Sequence, residues 1–112
     1  MAINKEQVRN ILSKYVIVLD VEQQGSKQLF IVKVANQDMD IKLLVSYLTV
    51  IGYCIPPYSW IVTDKKYSVT TSKQLSTSGL GNKHSIEHDK FVKLIALHLN
   101  LTLGQADYLA SK

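Results

Sequence analysis

From Asn4 the chain sets apolar residues at helical spacing, then changes period. Val8, Ile11, Leu12 and Tyr15 stand at i, i+3, i+4 and i+7, one stripe of an amphipathic helix. Asn4 can cap that helix with Gln7 as its capping-box partner, and Ile3 faces Val8 as a hydrophobic staple. Residues 15–22 (YVIVLDVE) and 28–35 (QLFIVKVA) are then rich in β-branched and aromatic types. QQGSK lies between them, with Gly25 available for a positive-φ turn, so the pair reads as a β-hairpin.

The segment from Asp38 to Ile51 changes the pattern again. Lys42, Ser46 and Thr49 fall at i, i+4 and i+7, the spacing of one helical face, and Ile41, Leu43, Leu44, Val45, Tyr47, Leu48, Val50 and Ile51 occupy the rest. This predicts a helix with a narrow wet stripe. Such a helix must lie centrally in the domain or be sealed by a second copy, which makes the 41–51 helix a candidate surface for homo-oligomers.

Gly52 ends that helix and Pro56–Pro57 forbids its continuation. Residues 58–63 and 67–71 resemble a second hairpin about Asp64–Lys65–Lys66, and 72–84 (SKQLSTSGLGNKH) read as a long loop. Ser85 is placed to cap a helix from Ile86 to Leu99, and Asn100 suits its left-handed C-terminal position. Thr102 and Gln105 form a capping box for a last short helix ending at Ala110. The expected fold is α+β: a four-stranded, mainly antiparallel sheet with packed helices, in the order α-β-β-α-β-β-α-α.

Composition narrows the class. The 112 residues fit a single domain, 1–112, and bury roughly 65% of the surface an unfolded chain exposes. A hydrophobic fraction of 46% with 20% charged residues excludes a disordered chain. Cys54 has no second cysteine to pair with, which suits a reducing compartment. The N-terminus is polar where a signal core would lie, and the apolar run 41–55 is interrupted and too short for a bilayer. The expectation is a soluble, cytoplasmic protein with no membrane partner.

Charge sharpens that picture. The formal net charge is +4. Between Asp64 and Glu87 no acidic residue occurs, yet Lys65, Lys66, Lys73 and Lys83 all lie there, so this run carries the whole excess. With His84 they form the candidate partner-docking set, directed at an acidic protein surface or at phosphates.

Other constellations are weaker. His84-Ser85-Ile86-Glu87-His88 spells the H-x-x-E-H string of inverted zinc proteases, which needs both histidines on one helical face and a third ligand downstream. No glutamate follows Glu87, so a minor metal site at His84 and His88 is the most the string supports, and no resident metal or cofactor is expected. Gly79 to Ser85 misses the phosphate-loop spacing, although free N–H groups at a helix start beside Lys83 and His84 would favour an anion. Residues 92–109 partly fit a helix-turn-helix mask, but the second helix offers only Leu103, Gly104, Gln105, Asp107 and Tyr108 outward. Tyr53, Tyr58, Trp60 and Tyr67 surround the Pro56–Pro57 corner as core aromatics first, with a peptide pocket or an interface anchor as the functional alternative, and Cys54 reads as buried and inert.

No convergent catalytic set emerges. The sequence therefore points first to a non-enzymatic interaction protein (an adaptor, inhibitor or assembly factor) that docks an acidic partner through the basic segment. A nucleic-acid-binding protein using the same lysines and the C-terminal helix pair is the second reading, with Arg9 as sole arginine arguing against base readout. Metal binding through His84 and His88 is the third.

Overall fold

The computed structural model describes residues 3–23, 28–36, 39–55, 59–64 and 83–110. Helix α1 runs Lys5–Leu12 and starts as its sequence dictates. Asn4 Oδ1 accepts the Gln7 N–H at 2.9 Å and Gln7 Oε1 accepts the Asn4 N–H at 2.9 Å, so two end donors are satisfied reciprocally. Val8 and Leu12 are buried.

Strands follow at Ile17–Gln23 (β1), Leu29–Asn36 (β2), Met39–Ser46 (β3), Thr49–Cys54 (β4), Trp60–Thr63 (β5) and Lys83–Ile86 (β6). Helices α2 (His88–Leu99) and α3 (Leu103–Ala110) close the described chain. The six strands form one sheet in sequence order, antiparallel from β1 to β5, with β6 parallel to β5. The fold is α+β with a mixed sheet.

Among the described residues the four-stranded sheet and the order α-β-β-α-β-β-α-α are therefore corrected to six strands between α1 and the C-terminal helix pair, while the strand expected over 67–71 lies outside those residues. The helix expected over 38–51 is the β3–β4 hairpin, joined by the Tyr47–Leu48 turn. Lys42 and Ser46 are four apart, a spacing that shares a face in a strand as well as in a helix. Thr49 broke the strand reading because it lies beyond the turn. That turn carries no Gly, Asn or Asp, and Tyr47 itself takes the positive φ of 56°. With no 41–51 helix, the homo-oligomer surface assigned to it disappears: Ile41, Leu43, Leu44, Val45, Val50 and Ile51 are all 1% exposed or less, inside the sheet.

The sheet buries both faces, which explains why β3 and β4 show no alternation of apolar and polar positions. One face, with Phe30, Val32, Ile41, Leu43 and Tyr53, packs with α1, α2 and α3 in the main core. The other holds a second cluster built among the described residues from strand side chains alone: Leu29, Leu44, Ile51, Cys54, Trp60 and Val62. Two bulges adjust the register. One between Val18 and Asp20 lets Val18 and Val21, three apart, both reach the helix side. The other leaves Ile51 and Gly52 both opposite Leu44. Ile51 fills that space, and a Cβ on Gly52 would stand 3.0 Å from Val62 Cγ1 and 3.1 Å from the Ile61 carbonyl oxygen.

Beyond β6 the helix starts at His88, with Glu87 as its N-cap position, so Ser85 is a strand residue and not the cap. Asn100 ends α2 with φ 58°, as its type allows. Thr102 Oγ1 accepts the Gln105 N–H and Gln105 Oε1 accepts the Thr102 N–H, both at 3.1 Å, which opens α3. Among the described residues no helix is long and apolar enough to cross a membrane.

Candidate functional site

Three strands bring one row of side chains together at the β6 end of the sheet. Tyr53 on β4 pairs with Ile61 on β5, and Ile61 pairs with His84 on β6. With Ile55 and Ser59 they line an open pocket of 340 Å³. That is the lower end of the range for small-ligand sites, and ample for one large side chain. The row lies on the helix side of the sheet. The Tyr53 ring sits 6.1 Å from Phe91 and 5.3 Å from His98, both on α2. Burial pushes the Tyr53 hydroxyl above its ordinary pKa of 10.0.

Position in the sheet limits the ligand chemistry. The pocket lies at the amino ends of β5 and β6, whereas nucleotide folds of parallel strands bind at the carboxyl ends. At the carboxyl ends the start of α2 is already engaged. Asp64 Oδ1, just past β5, accepts the His88 N–H at 3.1 Å, and Thr63 Oγ1 is hydrogen-bonded to His88 Nδ1 at 2.7 Å. A carboxylate of the chain itself thus meets the partial positive charge that the sequence assigned to an outside anion.

The H-x-x-E-H string is divided between two elements. His84 is exposed on β6, His88 opens α2, and the geometry of two zinc ligands one helical turn apart does not form. Among the described residues, no group of three or more His, Cys, Asp or Glu is placed to hold a metal ion. Tyr53 and Trp60 are likewise separated: Tyr53 belongs to the helix-side core and Trp60 to the opposite cluster, while Tyr58 and Tyr67 lie outside the described residues. The outward set on α3 is as the sequence implied, with Leu103, Gly104, Gln105, Asp107 and Tyr108 exposed and Ala106, Leu109 and Ala110 buried.

Of the docking set, Lys65, Lys66 and Lys73 lie outside the described residues, Lys83 opens β6, and His84 is exposed in the pocket wall. Both ends of the acid-free run are fastened to the same two strands. At one end Lys83 pairs with Trp60, and at the other the Asp64 N–H donates to the Ile86 carbonyl at 2.9 Å. Sequence reasoning missed Ile55, Ser59 and Ile61. Their relation to His84 exists only through strand pairing, and no local spacing carries it.

Residues 19–93 match DUF8033, described as a family of unknown function. That stretch exceeds half the chain. The chain belongs to the DUF8033 family. The DUF8033 region runs from Leu19 in β1 to Lys93 in α2, so it contains the whole pocket wall and the acid-free run, and leaves out α1 and α3. No curated protein and no solved structure matches the chain.

Proposed function

We propose that this protein is a non-enzymatic interaction module, an adaptor, inhibitor or assembly factor, that docks an acidic protein partner at the β5–β6 edge of its sheet. The observation that carries this reading is the parallel pairing of β5 with β6. It tethers both ends of the run holding Lys65, Lys66, Lys73 and Lys83 to one edge, and His84 is exposed on that edge. A run with four lysines and no acid along the sequence is a source of positive potential that steers an acidic partner. A cytoplasmic setting fits a chain whose single cysteine, Cys54, is buried as a thiol.

Replacement of Lys65, Lys66, Lys73 and Lys83 by Gln tests it. Capture of acidic partners by the immobilised protein is expected to fall, while thermal unfolding stays nearly unchanged. Unaltered capture would reduce the segment to a solubilising loop.

Nucleic acid is the competing ligand for the same lysines. The exposed face of α3 includes Asp107 and no cation, which removes a usual source of phosphate and base contacts. Random duplex and single-stranded DNA at low salt separate the readings. A shift with a steep salt dependence, roughly one log–log unit per phosphate contacted, would favour nucleic acid over protein.

A further inference from the structure

Tyr53 is only 6% exposed, and its ring is held by Phe91 at 6.1 Å and by His98 at 5.3 Å. Those contacts engage the ring and leave the hydroxyl aside. Among the described residues no group hydrogen-bonds the Tyr53 hydroxyl. Burial is the cause that raises its pKa, with no hydrogen bond contributing. Yet among the same residues no fully buried side-chain oxygen or nitrogen lacks a partner. Both facts hold together only if the hydroxyl reaches open space. The space that Tyr53 lines is the 340 Å³ pocket.

Nearly all buried polar groups in folded proteins are hydrogen-bonded, so a phenol left open at a pocket wall marks a place for an occupant's atom. The rest of the wall says what that occupant is. Ile55, Ile61 and the Tyr53 ring are apolar or aromatic. Ser59 adds a hydroxyl and His84 an imidazole, and the described residues do not hydrogen-bond either side chain. No Asp, Glu, Lys or Arg is among the described lining residues.

We infer that this pocket binds a compact, neutral aromatic molecule whose carbonyl oxygen accepts the Tyr53 O–H. The ring lies against Ile55 and Ile61, and Ser59 or His84 meets a second polar atom of the ligand. Neutrality follows from the wall: a carboxylate there would lose its water without a described Lys or Arg to pair with. Size follows from the volume, which lies near the lower end for ligand sites and suits a single substituted ring. The site is separate from the charge docking proposed above, and either can fail without the other.

Three probes of one shape test it: benzamide, benzoate and isopropylbenzene. Each is titrated into isotope-labelled protein and followed by NMR at the amide signals of Tyr53, Ile61 and His84. Benzamide is expected to shift those signals with a Kd of about 1 mM or tighter, as befits so small a ligand. Benzoate should bind more weakly. Tyr53→Phe should weaken benzamide about three- to tenfold, the share of one neutral hydrogen bond, and leave isopropylbenzene unchanged. Its melting point should stay near that of the parent, because the hydroxyl has no bond within the chain to lose. Ser59→Leu fills the pocket and should abolish the benzamide shifts.

Equal benzamide affinity in Tyr53→Phe overturns the inference, as does tighter binding of benzoate than of benzamide. Absence of shifts at the three residues with several millimolar benzamide also overturns it. A melting point lowered by several degrees in Tyr53→Phe would give the hydroxyl a structural partner and overturn it too. Should Ser59→Leu fail to fold, Tyr53→Phe decides alone.

Discussion

The Asp64 carboxylate, just beyond β5, accepts the backbone N–H of His88, the first residue of α2, at 3.1 Å. A residue far away in sequence thus does the work of a helix cap, because Glu87 at the N-cap position makes no side-chain capping bond of its own. Asp64→Ala is expected to cost about 1 kcal/mol of stability, with Asp64→Asn retaining part of it. A fall in Tm of about 4–8 °C would accompany that loss in a domain of this size. An unchanged melting curve for Asp64→Ala would show that the contact contributes nothing.

Gly52 stands where two neighbours leave no room for a methyl group. Gly52→Ala should destabilise by about 1–3 kcal/mol, the usual cost of overpacking. Val62→Ala removes the nearer obstacle, Cγ1 at 3.0 Å, so the double variant should recover part of that loss relative to the sum of the singles. The Ile61 carbonyl oxygen at 3.1 Å stays in place, which limits the recovery. Strict additivity in urea unfolding would contradict this packing account.

Tyr47 holds a left-handed backbone at φ 56° in the β3–β4 turn, a conformation that costs an L side chain roughly 1–2 kcal/mol. The residue is 40% exposed, outside both buried clusters. Tyr47→Asn or Tyr47→Gly is expected to stabilise the protein by up to about 1 kcal/mol, read as a higher urea midpoint with an unchanged m-value. A lower midpoint would mean that the ring's contacts outweigh the strain.

Burial pushes the Cys54 thiol above its ordinary value of 9.0, although the Lys42 charge opposes the shift. Burial raises Tyr53 above 10.0 in the same direction. Both groups hold their protons longer in the folded state than in the unfolded chain. Their contribution is therefore complete below pH 9 and is lost as pH climbs through and beyond the unfolded values. Urea midpoints should fall from about pH 9 upward, and Cys54→Ala should flatten the first part of that decline. The native thiol should also react slowly with disulfide reagents near neutrality. Fast, stoichiometric labelling of folded protein would contradict its burial.

Strand pairing decided the features that the sequence hid. Lys42 and Ser46 satisfy the helical and the extended period alike, and the turn that separates the readings is made by Tyr47 and Leu48, residues with no turn signature. Ser85 has the right type for a cap, yet β5 recruits it into a strand and Asp64 takes over the capping. Of the pocket residues Tyr53 and His84 were singled out beforehand, but in separate constellations, since Tyr53, Ile61 and His84 become neighbours through two ladders between distant segments.

What the sequence determined by itself is what closes within a few residues. The Asn4–Gln7 and Thr102–Gln105 boxes, the left-handed Asn100 and the β1–β2 hairpin were legible because both partners of each bond lie close along the chain. The tertiary structure alone set the six-strand order, the fate of residues 39–54, the β6 edge and its pocket. Those depend on which apolar surfaces meet across long loops, and burial has no direction that local spacing could encode.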